Sequence, residues 1–205
     1  MTREGHSNAG EQACTVAETI AAAQAEADTR HWLEAAVIGL NLCPFAKAVH
    51  AKRQIHYAVH LPSNDDASLL DRLMAEAEAL AGLDASERDT TLLMAPNTLA
   101  DFLDFNDFTA RAERRLARAG FEGALQLASF HPRFQFAGTE PDDIGNATNR
   151  APYPTLHLLR EESIDRAVEA FPEAEAIFER NIDTLEGLGA DGWAALNVGP
   201  GGAMR

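Results

Sequence analysis

The clearest structural signal in this chain lies in QIHYAVHLPSNDDASLLDRLMAEAEALAG, residues 54–82, and in TTLLMA, residues 90–95. Apolar and polar residues alternate over 54–60, which predicts a strand with one wetter face. Apolar residues at helical spacing then lead to Gly82, which predicts a helix and its end. The apolar run at 90–95 stops at Pro96 and predicts a second strand. This order predicts a βαβ unit with a right-handed crossover.

The chain on both sides of this unit continues the alternation of helices and strands. Four strands make a small sheet, and the half-polar first strand indicates that one sheet face is only partly covered. The sequence therefore predicts an α/β fold, a single-domain sandwich with a small mixed, largely parallel sheet and flanking helices. The further predicted elements are a helix ending near Leu40, a helix over 99–119, strands over 124–130 and 155–160, a short helix from Ser163 and a final helix.

Length and composition favour one domain with tails. The chain has 205 residues, of which 46% are hydrophobic, enough for one core. We expect residues 1–13 to form a disordered polar tail, residues 14–196 to form the single α/β domain, and residues 197–205 to form a flexible Gly-rich tail.

The net charge of −15 restricts the classes of partner. It disfavours nucleic acid, whose phosphates would be repelled, and anionic membrane surfaces. We expect no N-terminal signal segment, because no basic stretch followed by an apolar one appears there, and no apolar run approaches 18 residues. Cys14 and Cys43 are too few for a disulfide framework. We therefore expect a cytoplasmic protein that binds neither nucleic acid nor membrane.

The long polar loop within residues 129–161 is the strongest candidate for a functional site, because loops of this length in compact domains are usually functional or disordered. Its aromatic residues argue against disorder. An imidazole suits general acid/base chemistry, and an Arg fork beside an Asn amide suits a small anion. Alternatively, Arg150 pairs with Asp142 or Asp143 and only stiffens the loop. The candidates are His131 and Asp143 for catalysis and Asn149, Arg150 and Arg160 for substrate binding.

A divalent metal is an alternative for the same loop. His131, His157 and a carboxylate such as Glu161 would supply the two imidazoles and one oxygen ligand typical of open zinc or iron centres. The spacing matches no tight metal motif. His157 and Glu161, four residues apart, would align on a helix but not on the strand predicted there.

Cys43 is a candidate reactive thiol. It follows the predicted N-terminal helix, and Lys47 is four residues further on. A nearby cation can lower the pKa of a thiol and so activate it. The alternative is a buried structural cysteine, since Cys commonly packs as a small apolar residue.

Three strings carry a family resemblance: GLNLCPFA at 39–46, QLASFHP at 126–132 with Gln135 and Phe136, and NRAPYPTLHLLRE at 149–161. With them the chain resembles the bacterial family catalogued as domain of unknown function 1415, over roughly Trp32 to Trp193. The resemblance implies that the three strings belong to one design and converge on one pocket. It implies no particular activity or cofactor.

Three functions are open at this point. The first is a cytoplasmic enzyme that acts on a small anionic metabolite at the His/Arg/Asp site within 129–161. The second is a metal-dependent enzyme with two His and one carboxylate as ligands. The third is a non-catalytic binding or accessory protein whose polar loop docks a partner.

Overall fold

The computed structural model describes residues 7–170 and 176–204, with the backbone path alone for residues 7–14 and 170. The helices are α1 (Ser7–Trp32), α2 (Ala46–Ala51), α3 (Asp66–Gly82), α4 (Phe102–Arg118), α5 (Glu161–Ala170) and α6 (Ile177–Ala195). The strands are β1 (Ile55–Val59), β2 (Thr90–Met94), β3 (Leu125–Phe130) and β4 (Thr155–Arg160). A π-helical turn, Leu33–Ile38, continues α1, and 3₁₀ turns lie at Ile144–Asn149 and Gly202–Met204.

These strands form one open sheet in the order β1-β2-β4-β3. β1 is parallel to β2, whereas β4 lies between β2 and β3 and is antiparallel to both. The predicted single-domain α/β fold with a mixed sheet and flanking helices is confirmed. The prediction of largely parallel pairing is wrong, because two of the three neighbouring pairs are antiparallel. β4 suits the central position because it buries Leu156 and Leu158, whereas β3 exposes Gln126 at the edge.

One face of the sheet is covered by α3 and α4. Both helices turn an apolar stripe towards the sheet, and these stripes pack against aliphatic side chains of the strands. Each helix is preceded by a capping aspartate, Asp65 or Asp101, that accepts hydrogen bonds from backbone N–H groups of the first turn. The buried residues at the centre of this layer are Leu69, Leu73 and Leu80 of α3, Phe105 and Phe108 of α4, and Leu93, Leu156 and Leu158 of the sheet.

The C-terminal part of α1 and its π-helical turn lie against the opposite face. Trp32, Leu33, Ala36 and Val37 are buried there. They pack on half-buried residues of the edge strands, which include Tyr57 and Phe130. The ring of Trp32 meets that of Phe130 edge-on at a centroid distance of 5.1 Å. The α1 side is therefore a smaller and less completely buried core.

The structure describes parts of both segments that the sequence assigns to tails. Residues 7–13, assigned above to a disordered tail, belong to α1 in the structure, and residues 1–6 lie outside the described residues. At the other end Val198 is buried, and the backbone N–H groups of Gly201 and Ala203 donate to the carboxylate of Asp28. Long-range contacts therefore hold the segment for which the sequence predicts flexibility.

Within residues 7–170 and 176–204, no helix combines the length with the apolar character that crossing a membrane requires.

Candidate functional site

His131 follows β3 and is completely buried. Its Nε2 lies 3.1 Å from the carbonyl oxygen of Leu99, and its Nδ1 accepts from the backbone N–H of Arg133 at 3.0 Å. These partners define a neutral ring with the proton on Nε2. Burial lowers the pKa of His131, which favours the same neutral form. The ring lies beside Phe102 and Phe105 of α4.

The contacts of His131 are those of a positioning residue. Leu99 has a φ of 59°, in the left-handed region that a Leu rarely occupies. The hydrogen bond from His131 holds this turn immediately before α4. Both ring nitrogens are engaged by the backbone, so neither faces a substrate in this arrangement. The predicted acid/base role of His131 stays a prediction that this geometry does not favour.

Asp143 and Asn146 organise the interior of the long loop. Asp143 caps the 3₁₀ turn by accepting from the backbone N–H of Gly145 at 2.9 Å. Asn146 is completely buried, accepts from the N–H of Phe136 and the hydroxyl of Thr139, and donates to the carbonyl of Glu140. The loop is thus ordered by its own side chains. Asp143 does not contact His131, so the predicted orienting pair is not assembled.

Arg150 reaches across the loop and donates to two of its carbonyl groups. Its Nε contacts Phe134 O at 3.3 Å and its Nη2 contacts Pro141 O at 2.6 Å. Burial lowers the pKa of Arg150, while the charge of Asp143 raises it. The guanidinium still carries its charge near neutral pH. The amide of Asn149 donates to Ser129 O in β3, so its N–H group is used within the fold and is not offered to an anion together with Arg150.

Arg160 lies at the other end of β4, away from the loop. Its guanidinium donates to the carbonyl groups of Leu80, Leu83 and Arg88. These carbonyls include the end of α3, where a cation is favourable. Arg160 is therefore a helix-end partner, and the structure does not place it with Arg150.

The structure separates the predicted metal ligands. His131 lies on the α4 side of the sheet, whereas His157 lies on the α1 side, beside Phe130 and 2.6 Å from the hydroxyl of Thr90. Glu161 is the first residue of α5. Within the described part of the chain, no group of three His, Cys, Asp or Glu side chains is placed to hold a metal ion. The two-His, one-carboxylate set is not brought together.

Cys43 is half-buried among the apolar residues of the α1 side. Burial raises the pKa of the Cys43 thiol, against which the backbone N–H groups of Phe45 and Ala46 act weakly. The protonated thiol is therefore the favoured form near neutral pH, and it is a poor nucleophile. Lys47, the cation proposed from the sequence, does not reverse this shift.

An open cleft of about 360 Å³ lies where the loop meets the C-terminal segment. Its walls combine one guanidinium, one indole, three prolines and the Gly-rich backbone. We call it the Arg150 cleft. Its principal lining residues are Pro132, Arg150, Pro152, Trp193, Asn197 and Pro200.

Asp28 holds the C-terminal segment that borders the Arg150 cleft, and it is not among the site residues predicted from the sequence. Its carboxylate accepts from Tyr153 Oη and the N–H of Gly201, both at 2.8 Å, and from the N–H of Ala203 at 3.1 Å. Burial alone would raise the pKa of Asp28, but these hydrogen bonds outweigh it and the pKa is lowered. A signal existed, since Asp28 shares the buried stripe of α1 with Ala25 and Trp32.

Residues 197–202 form the C-terminal wall of the cleft, and within it the backbone of Gly202 closely approaches that of Asn197. A Cβ atom at this position would lie 1.7 Å from the carbonyl oxygen of Asn197. Only glycine permits this fold-back of the chain. Just before this wall, the carbonyl oxygen of Leu196 lies 3.0 Å from His31 Nε2, and this contact fixes the end of α6. The last turns of α1 thus position the C-terminal wall.

A family model described as protein of unknown function, DUF1415, matches residues 24–195. The chain belongs to the DUF1415 family. The resemblance seen in the three sequence strings is therefore confirmed. No curated protein and no solved structure gives a significant match.

The DUF1415 match covers one side of the Arg150 cleft. Pro132, Arg150 and Trp193 lie within the matched residues, and 197–202 lie beyond them. The loop shared with the DUF1415 family therefore meets a wall that the family model does not include.

Proposed function

We propose that this protein binds a small anionic molecule with an apolar portion in the Arg150 cleft. The observation that carries the proposal is the composition of the lining, in which Arg150 is the charged residue and Trp193 and the prolines supply flat apolar surface. Ligand sites commonly combine such apolar walls with a few polar groups. A volume of about 360 Å³ suits a small metabolite.

The guanidinium of Arg150 supports an anion in particular. Two of its nitrogens donate to loop carbonyls, which fixes the direction of the group. Its Nη1 has no acceptor among the described residues. A fixed guanidinium with a free N–H is suited to a carboxylate or phosphate oxygen. In a chain of net charge −15, such a local cation also discriminates against cationic ligands.

The lining favours binding over acid/base catalysis. Among the described residues that border the cleft, none is His, Cys, Asp or Glu. General acid/base chemistry needs such a group within hydrogen-bond reach of the substrate. We therefore place the non-catalytic binding function first. The enzyme hypothesis, with His131 and Asp143 as catalytic residues, remains a prediction that needs a rearranged loop.

Trp193 provides a readout for this proposal. The chain has two Trp, and Trp32 is buried against Phe130, so a probe entering the cleft should change the emission of Trp193. Benzoate is the first probe because it carries a carboxylate on a flat ring, with succinate and phosphate as comparisons. We expect a saturable change with benzoate, and Trp193→Phe should remove it.

Ala194 allows a test that leaves the protein contacts intact, because it is exposed and borders the cleft. Ala194→Glu places a carboxylate in the cleft, and Ala194→Gln is the uncharged control of the same size. We expect Ala194→Glu to weaken benzoate binding by about tenfold relative to Ala194→Gln, equivalent to about 1.4 kcal/mol. Equal affinities in the two variants, or no saturable signal with any probe, would contradict the proposal.

A further inference from the structure

A second cavity, of about 490 Å³, lies at the edge of the sheet formed by β1. It is bordered by the last turns of α1, the end of α2 and the first half of β1. We call it the Arg53 cavity. Its lining residues are Arg30, His50, Ala51, Arg53, Ile55 and Tyr57. No residue of the Arg150 cleft belongs to it.

The chain around the Arg53 cavity is basic, in contrast to the rest of the protein. Residues 35–64 contain no Asp or Glu, although the whole chain has 32 acidic residues. The only two lysines of the sequence, Lys47 and Lys52, lie in the same segment as Arg53. Such a local excess of positive charge in an acidic protein indicates a surface that attracts anions.

Arg53 occupies a backbone position that favours glycine. The N–H of Arg53 donates to His50 O, and the N–H of Gln54 donates to Val49 O, which is the pattern of a helix end closed by a left-handed residue. The backbone of Arg53 has a φ of 60°, a conformation that is energetically unfavourable for any residue with a Cβ atom. The exposed guanidinium has no partner among the described residues. Local stability therefore does not explain an arginine here.

Tyr57 carries a second unfavourable feature. Its hydroxyl is shielded from solvent and has no hydrogen-bond partner among the described residues. A buried hydroxyl without a partner is destabilising. Burial raises the pKa of Tyr57 to about 12, so the group is a protonated donor near neutral pH. The guanidinium carbon of Arg30 lies 3.8 Å from the centroid of the Tyr57 ring.

The carboxylates near this cavity already have partners. Glu26 pairs with Arg30 at 2.7 Å, and Glu34 lies 3.3 Å from His50 Nε2. These pairs leave the charge of Arg53 uncompensated at the mouth of the cavity. An arriving anion would therefore meet free positive charge there, and the Tyr57 hydroxyl beyond it.

We propose that the Arg53 cavity binds the phosphate group of a small phosphorylated molecule. A guanidinium donates through several N–H groups to phosphate oxygens, and a tetrahedral phosphate can accept from donors on different sides. Arg53 makes the first contact, and a small displacement of the exposed Arg30 side chain admits a phosphate oxygen to Tyr57. The cavity volume exceeds that of inorganic phosphate, so an organic phosphate binds more tightly. This site is independent of the Arg150 cleft.

The test uses two variants that should separate binding from stability. Arg53→Gly suits the left-handed backbone, and Tyr57→Phe removes a hydroxyl without a partner. Without ligand, both variants should melt at the same temperature as the unsubstituted protein or at a higher one. Calorimetric titration with ribose 5-phosphate at constant ionic strength should show affinity lowered by about tenfold or more in Arg53→Gly, and a smaller loss in Tyr57→Phe.

Three comparisons decide the outcome. Inorganic phosphate as the titrant should bind more weakly than ribose 5-phosphate, and equal affinity would overturn the organic-phosphate assignment. Arg114→Gln, at an exposed arginine on α4, should leave binding unchanged. Ala194→Glu should also leave it unchanged, so failure of the Arg150 cleft proposal would not affect this result. No saturable binding, or full affinity in Arg53→Gly, would overturn the proposal.

Discussion

The two faces of the sheet differ in how completely their side chains are buried. On the side of α3 and α4, residues such as Leu73, Leu93 and Phe108 are 0% exposed. On the α1 side, Tyr57 and Phe130 of the sheet are only half-buried. Both cavities border this second side, since residues of each also belong to the α1-side core.

In the two proposals this difference in packing gives the faces separate roles, stability on the α3/α4 side and ligand binding on the α1 side. A close-packed face loses free energy with each removed atom and has no room for a ligand. A loosely covered face leaves space, exposed donors and polar groups that a ligand can satisfy. We therefore expect substitutions on the α3/α4 side to change mainly the free energy of unfolding. Those at the α1-side cavities should change mainly ligand affinity.

The largest effect is expected for Phe108→Ala on the α3/α4 side. Phe108 is fully buried, so its truncation leaves a cavity and should lower the free energy of unfolding by about 4 kcal/mol. Urea unfolding measures this loss. Ile55→Ala on the α1 side should cost clearly less, because Ile55 is already half-exposed. Equal losses at the two positions would remove the distinction between the faces.

A smaller but still large effect is expected for Glu76→Ala. Glu76 is buried at the edge of the α3/α4 side and pairs with Arg88 and Arg72. Burial alone would raise the pKa of Glu76, but both arginines outweigh it and that pKa is lowered. Removing the carboxylate leaves the Arg88 charge buried and unpaired, which should cost about 3 kcal/mol in urea unfolding.

Arg72→Ala is the control for Glu76→Ala. The Arg72 side chain is 44% exposed, so its removal should cost less than about 1 kcal/mol. A mild result for Glu76→Ala would mean that Arg88 finds another partner or reaches water.

The effect that is smallest near neutral pH, and grows only in acid, is a pH dependence that belongs to the α1 side. Burial lowers the pKa of His157 to about 4, from an ordinary value of 6.5. The folded state thus disfavours the proton that the unfolded chain accepts. Stability from the neutral ring is present above pH 6.5 and is lost as the pH falls towards about 4. His157→Gln should show a shallower loss of stability over this range.

Urea unfolding at several pH values checks the His157 prediction. His157 Nε2–H donates to Thr90 Oγ1, whose hydroxyl donates to Leu158 O, and Gln can replace the first donor. If the two proteins lose stability in parallel, the acid sensitivity comes from other groups, such as the buried His131.

Much of the secondary structure could be predicted from the sequence. The predicted strands at 54–60, 90–95, 124–130 and 155–160 agree with the four observed strands to within about one residue at each end. Alternating and helical periodicities are local, so they survive whatever the tertiary arrangement is.

The candidate site was much harder to predict. His131 and Arg160 have the chemistry of site residues, yet their hydrogen bonds go to the protein backbone. Arg150 does border a cleft, as expected for an anion-binding residue. The buried stripe of α1 places Asp28 in the interior, but its partners Tyr153 and Gly201 became visible only in the structure, because they are more than a hundred residues away in the chain.

The sequence by itself determined the element types, the α/β class and the family, because periodicity and the three family strings are properties of short stretches. Only the tertiary structure decided that β4 enters between β2 and β3 and that Asp28 anchors the C-terminal segment. It also decided which arginines, such as Arg150 and Arg160, donate to backbone carbonyl groups. Those outcomes depend on which distant groups meet, and long-range contacts between buried polar partners leave no periodic trace in the chain.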